Sequence, residues 1–201
     1  MQKILQNLSD DFFLYNQSSD IERMIENSFI EKGAIDNKWL GYSPATEQAI
    51  ALKEQQLGVM LPPSYKSFLL TSNGFSFISF FLDNLLPIEK IDWAIKTENR
   101  AWLEYNFDIS ATDEEYFCYD DKQDPAKDRH EYFKESLRVS NWYDGMCVFL
   151  NPIIKHGNEW EVLEYANWHP GTIRYRSFEE FLRKTHEKNL KLIADNSRSQ
   201  Q

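Results

Sequence analysis

The stretch from Glu54 to Gly74, Glu-Gln-Gln-Leu-Gly-Val-Met-Leu-Pro-Pro-Ser-Tyr-Lys-Ser-Phe-Leu-Leu-Thr-Ser-Asn-Gly, constrains the chain more than any other. It contains two helix stops, Leu57-Gly58 and Asn73-Gly74, and between them a helix start at Pro62-Pro63-Ser64. Glycine is favoured just past a helix end because it takes the left-handed conformation without a Cβ clash. Proline suits a first helical turn, where its missing N–H costs nothing. Tyr65, Phe68, Leu69 and Ser72 recur at the spacing of one buried helical face. Two helices joined by a short linker are therefore required, the second running into the aromatic stretch Phe75 to Leu82, which reads as a strand.

Ahead of this stretch, Leu5, Leu8, Phe12 and Tyr15 predict an amphipathic helix with Asp10-Asp11 on its polar side. Ser19-Asp20-Ile21-Glu22 reads as a capping box for a second helix, with Ile21, Met24, Ile25 and Phe29 as its apolar face and Gly33 as its stop. Trp39-Leu40-Gly41-Tyr42 is an anchored loop. Ser43-Pro44 reads as the cap and first-turn proline of a third helix, with Ala45, Ala49, Ile50, Leu52 and Leu57 on its buried side.

Beyond Leu82, Asp83-Asn84 predicts a turn and Leu85 to Ile88 a short strand broken by Pro87. Glu89 to Tyr105 returns to helical spacing. Between Phe107 and Tyr132 periodicity fails, although Tyr116-Phe117-Cys118-Tyr119 reads as one strand and Asp120 to Pro125 as an acidic turn. From Ser136 the chain reads as an antiparallel meander. Its strands are Leu137 to Ser140, Met146 to Leu150 with Asn151-Pro152 as its end, Trp160 to Tyr165, and Ile173 to Arg176, the last alternating apolar and basic. Its turns are Asp144-Gly145, His156-Gly157-Asn158 and Pro170-Gly171. Ser177-Phe178-Glu179-Glu180 is a second capping box, opening a helix with Phe178, Phe181, Leu182, Thr185 and Leu192 on one side.

The expected class is α+β: N-terminal helices packed on an antiparallel meander sheet, with a closing C-terminal helix. At 201 residues, with 42% hydrophobic and 15% aromatic residues, the chain can bury a core without help. With no repeat and no low-complexity linker, the organisation expected is a helical extension over residues 1–38, a main domain over 39–194 and a frayed tail over 195–201. No run approaches the length of a membrane span, and the first residues lack a signal peptide's apolar core, so the expected location is cytoplasmic. Cys118 and Cys147 have neither metal nor disulfide spacing and read as free thiols, Cys147 in a buried strand.

Charge and motifs narrow the function. A net charge of −10 opposes direct binding to nucleic acid or anionic lipid and favours a basic partner, although acidity also serves plain solubility. His130, His156, His169 and His186 are scattered and show no H-E-x-x-H spacing. There is no G-x-S-x-G elbow and no phosphate-binding glycine loop. The expectation is a non-enzymatic protein with no cofactor and no metal, and a hydrolase remains only as an alternative. The strongest feature outside the core is the acidic run from Asp108 to Asp128, in which eight acids face two lysines. It is either a solvated insertion or a protein interface, since aromatics carry interface energy and charges steer encounter. The partner-binding candidates are Asp113, Glu114, Glu115, Tyr116, Tyr119, Asp120, Asp121 and Asp124, together with Trp142 and Trp168 beside turns, each of which can be a core or a groove residue. Trp160 reads as core.

The order E-x-x-L-G-x-x-L-P-x-S-Y-x-x-F-L-x-x-S-N-G resembles the N-terminal signature of the SMI1/KNR4 superfamily, also called SUKH. From Trp39 to about Phe181 further steps resemble a bacterial branch: Trp39-Leu40-Gly41, Tyr119, Gln123-Asp124, Arg129, Leu150-Asn151-Pro152, Glu159-Trp160-Glu161, Ala166-Asn167-Trp168 and Gly171 to Phe178. Asn158 stands where a glycine next to the glutamate is expected, with Gly157 one position early. The resemblance implies a binding domain, most often an immunity protein that neutralises a cognate toxin, commonly a nuclease. The competing implication is a regulatory scaffold that binds host proteins.

Overall fold

The stripe Leu5, Leu8, Phe12 forms the buried face of α1 (Gln2–Tyr15) in a computed structural model that describes residues 1–26, 30, 33–79, 82–104, 110–168 and 171–199. Phe29, Tyr105, Phe107, Asp108, His169 and Pro170, named above, lie outside the described residues, as do Phe80 and Phe81 within the expected Phe75 to Leu82 strand. Asp11 is a correction: it is buried, not on the polar side, because the last helix supplies it with polar partners. Helix α2 (Ser18–Glu26) begins ahead of its expected cap. Gly33 does not stop it but opens α3 (Gly33–Asn37), which closes on Lys38 at φ 47°.

Helix α4 (Glu47–Leu57) starts later than Ser43-Pro44 predicts. Thr46 is its cap, accepting from the Ala49 N–H at 3.1 Å, while the Ala45 N–H is held by the Leu69 carbonyl and keeps the lead-in out of the helix. Ile50 and Leu57 are buried as expected, but Leu52 is exposed. Gly58, at φ 73°, ends the helix as the sequence predicts. The linker is then tied down by buried Glu54, whose carboxylate accepts from the Leu61 N–H at 2.7 Å and pairs with Lys66. Helix α5 (Pro63–Thr71) buries Tyr65, Phe68 and Leu69 completely. After it, Ser72 accepts from the Tyr42 N–H, Asn73 accepts from the Ile88 N–H, and Gly74 turns the chain at φ 95°.

Strand β1 (Phe75–Ser79) pairs with β2 (Leu82–Leu85) across an irregularity at Phe77, φ 58°. The expected Asp83-Asn84 turn therefore lies within β2, and only Leu85 of the expected Leu85–Ile88 strand is in one. The helix expected over Glu89–Tyr105 is replaced by β3 (Asp92–Trp93), α6 (Ala94–Thr97) and α7 (Arg100–Leu103). Asn99 divides the helical part because its side chain caps α7 through the Ala101 N–H at 2.7 Å. Next come α8 (Asp113–Tyr116) and two 3-10 turns, followed by β4 (Leu137–Arg138), β5 (Met146–His156), β6 (Glu159–Ala166), β7 (Gly171–Tyr175) and α9 (Phe178–Ser199).

Strands β4 to β7 form the expected meander, and β3, which was not expected, adds a strand at its edge, giving the order β3-β4-β5-β6-β7, antiparallel throughout. Asp144 and Gly145 both take positive φ, as a tight two-residue hairpin requires. Strand β5 does not end at Asn151-Pro152. It passes through a bulge between Asn151 and Lys155, one of the few places a strand accepts proline. One sheet face, with Met146, Val148, Leu150, Trp160, Val162 and Tyr175, packs on α1, α5 and α9. The other face, with Cys147, Phe149 and Leu163, is covered by Ala94, Leu103 and Phe133. Where the sheet is covered on both faces, the charged strand residues Glu161, Glu164 and Arg174 are left without a solvent side.

Candidate functional site

Strand β6 carries Glu161 on the second face, and that carboxylate is fully buried. An isolated buried charge costs several kcal/mol, so it must be paired or hydrogen-bonded. Three donors meet it: the Tyr116 hydroxyl at 2.6 Å, the Tyr119 hydroxyl at 2.7 Å and the Asn151 amide at 2.9 Å. Burial, then the adjacent Glu161 charge, pushes both phenols well above the ordinary tyrosine range, so they remain donors. His156 adds a contact to the Tyr119 oxygen at 3.0 Å.

Arg174 of β7, one of the basic residues in the alternating stretch Ile173 to Arg176, lies beside this group and is 1% exposed. Among the described residues it has no ion-pair partner. Its guanidinium donates to the carbonyls of Tyr116, Lys127 and Thr172 at 3.0 to 3.2 Å and sits 4.6 Å from the Tyr116 ring centroid. A planar five-donor fork suits such a carbonyl cradle, where a lysine would not.

Around these two charges the acidic segment is folded against the sheet. The expected strand Tyr116–Tyr119 is instead the end of α8, a turn at Phe117 and the residues leading to an extended Tyr119, with Tyr116 and Tyr119 both directed inward to Glu161. Thr112 and Glu115 form a complete capping box at the start of α8. The segment also seals the open edge of β7. The Gln123 side chain bonds both backbone groups of Arg174, and the Pro125 carbonyl accepts from the Thr172 N–H at 2.9 Å. An uncovered edge would offer unpaired strand groups to other chains.

The expected contact residues thus separate into groups. Tyr116 and Tyr119 are interior. Asp113 pairs with Arg129, Glu115 with Lys127 at 2.6 Å, and Asp120 with Arg176 at 2.9 Å. Glu114, Asp121 and Asp124 are exposed and make no ion pair among the described residues. Trp142 is 36% exposed; its indole N–H donates to Glu98 at 2.6 Å and its ring meets Trp102 and Tyr165 edge-on. Trp168 is 52% exposed, Trp160 only 4%. The two turns bearing Trp142 and Trp168 adjoin, since the Asn167 N–H donates to the Gly145 carbonyl at 3.1 Å.

Glu161, Arg174 and Asn151 stand in the sequence as steps of the family resemblance and were not among the candidate contact residues. The signal available was a charge inside each of two strands whose neighbours on both faces are apolar. His130 meets the Trp102 carbonyl, His156 meets Tyr119 and His186 meets Asp11, so the described histidines sit in separate structural contacts. Among the described residues no three His, Cys, Asp or Glu side chains are grouped to hold a metal ion, and no helix is long and apolar enough to cross a membrane.

A family model described as SMI1 / KNR4 family (SUKH-1) matches residues 44–184, more than two thirds of the chain. No curated protein matches.

Proposed function

Because the chain belongs to the SMI1/KNR4 family (SUKH-1), generally a non-enzymatic binding family, we propose that it is an immunity-type protein that neutralises a basic toxin domain, plausibly a nuclease, by direct binding. The observation that carries this reading is the acidic segment. It is anchored on two buried charges, Glu161 and Arg174, and it holds Glu114, Asp121 and Asp124 at the surface with no ion pair among the described residues. Preorganised carboxylates of this kind meet the cationic surface that a nuclease presents to phosphate, and they speed encounter more than they stabilise the fold. Asp113, Glu115 and Asp120 have a different part: their charges are spent on Arg129, Lys127 and Arg176, which fix the segment.

The test is charge reversal at the unpaired acids alone. Glu114→Lys, Asp121→Lys and Asp124→Lys together should slow association with a cognate toxin by about tenfold or more and flatten its salt dependence, with circular dichroism unchanged. Co-expression should then fail to rescue growth. Wild-type association with an unaltered salt slope would remove the segment from the interface. A partner set without any toxin would favour the scaffold role.

A further inference from the structure

The loop Trp39 to Tyr42, the turn after α5 and the join between the two sheets bound an open groove of about 750 Å³. Trp39, Tyr42, Pro44, Asn84, Pro87 and Asn141 line it, and none of them belongs to the acidic segment. Its walls are fixed from behind. The Trp39 ring stands edge-on to Phe75 with centroids 5.8 Å apart, and the Tyr42 N–H donates to the Ser72 hydroxyl at 2.8 Å. Gly41 lies between them, and a Cβ there would meet the Trp39 ring at 2.6 Å. Where the sheets join, the Asn141 N–H donates to the Asn84 carbonyl at 3.2 Å.

The groove is also furnished with unused donors. The Trp39 indole N–H, the Asn84 Nδ2 and the Asn141 side-chain amide all keep accessible surface, and none of them makes a hydrogen bond among the described residues. Reachable donors beside tryptophan, tyrosine and proline surfaces match one peptide conformation. A polyproline II chain makes no internal hydrogen bonds, so its carbonyls are free to accept. Where its residues are proline it carries no N–H that would need an acceptor in return. Being ordered beforehand, it loses little entropy on docking in an aromatic-lined groove.

We propose that this groove binds a proline-rich segment of a partner protein in the polyproline II conformation, its rings against Trp39, Tyr42 and Pro87 and its carbonyls on the Trp39 indole and the Asn141 amide. The site stands apart from the acidic segment and does not depend on a toxin partner.

Titration of acetyl-decaproline amide into the full chain, followed by calorimetry and by the tryptophan indole N–H resonances, tests this. The peptide should bind saturably at one site and shift the Trp39 resonance, which Trp39→Phe identifies by its loss. A flexible Gly-Ser peptide of equal length should bind at least about tenfold more weakly. Trp39→Phe, which keeps a ring but no donor, and Asn141→Ala should each weaken decaproline binding about three- to tenfold with circular dichroism unchanged. The combined Glu114→Lys, Asp121→Lys and Asp124→Lys variant should bind it as wild type does, which separates this site from the toxin reading. No saturable binding, equal affinity for the two peptides, an affinity that either Trp39→Phe or Asn141→Ala leaves intact, or loss of binding in the charge-reversed variant would each overturn the proposal.

Discussion

Replacing Glu159 by alanine should weaken the helix at the centre of the family signature from 95 residues away. Helix α5 begins at Pro62-Pro63, and Pro62 offers no capping side chain. Its first-turn donors are served instead by the Glu159 carboxylate, which accepts from the Ser64 N–H at 2.9 Å and the Ser64 hydroxyl at 2.6 Å. Lost caps cost about 0.5 to 2 kcal/mol, and hydrogen bonds to a charged acceptor about 1.5 to 3. The site is only partly buried, so water replaces some of the loss and about 2 kcal/mol is expected. For a chain of this size, each kcal/mol moves Tm by roughly 2 to 4 °C, giving a fall of about 4 to 8 °C. Thermal unfolding of Glu159→Ala, Ser64→Ala and the double variant reads this directly. The coupling between the two sites should be about 1 kcal/mol, since one interaction is removed twice. A Glu159→Ala melting curve superimposable on wild type, or strictly additive single effects, would refute the trans-capping reasoning.

Gly74→Val should cost about 1 to 3 kcal/mol, because a Cβ at φ 95° meets the Leu85 carbonyl oxygen at 3.0 Å. Gly33→Val meets nothing within 4 Å and should stay within about 0.5 kcal/mol; equal melting temperatures for the pair would contradict this. Gly171→Ala would place its Cβ 1.7 Å from the Pro125 carbonyl oxygen, so it should lift the acidic segment off β7. The readout is faster hydrogen exchange at the Thr172 amide and protease cleavage within 113–128 while α5 stays protected. Burial pushes the Cys147 thiol up to about 12, so native protein at pH 8 should titrate one thiol, Cys118, with an aromatic disulfide reagent, and two after unfolding. Two reactive thiols in the native state would place Cys147 nearer solvent than the structure does.

What could be read in the sequence was whatever local chemistry decides. Gly58, the Pro63 start, the Tyr65-Phe68-Leu69 face, the Asp144-Gly145 hairpin and the order of the meander all rest on interactions within a few residues, and all are present. The misplaced boundaries have tertiary causes. Ser43-Pro44 is a sound cap by itself, but the Leu69 carbonyl takes the Ala45 N–H and moves the start to Thr46. Arg174 alternates as a surface residue would, and only the segment folded over it makes it interior. The same holds at the candidate site. Composition showed the acidic run, but which acids are free depends on Arg129, Lys127 and Arg176 reaching three of them across the fold.

The contact between Asp11 and His186, at 2.7 Å, joins residues 175 positions apart. A ribosome adding about 5 to 20 residues per second needs roughly 9 to 35 seconds to travel from one to the other. During that interval α1 has been synthesised but has no α9 to lie against, and its stripe of Leu5, Leu8 and Phe12 remains only partly covered. Until α9 is made, the nascent chain therefore carries an amphipathic helix whose apolar stripe is only partly covered. Slow translation or a truncated message would prolong the state in which chaperones, or other nascent chains, compete for that helix.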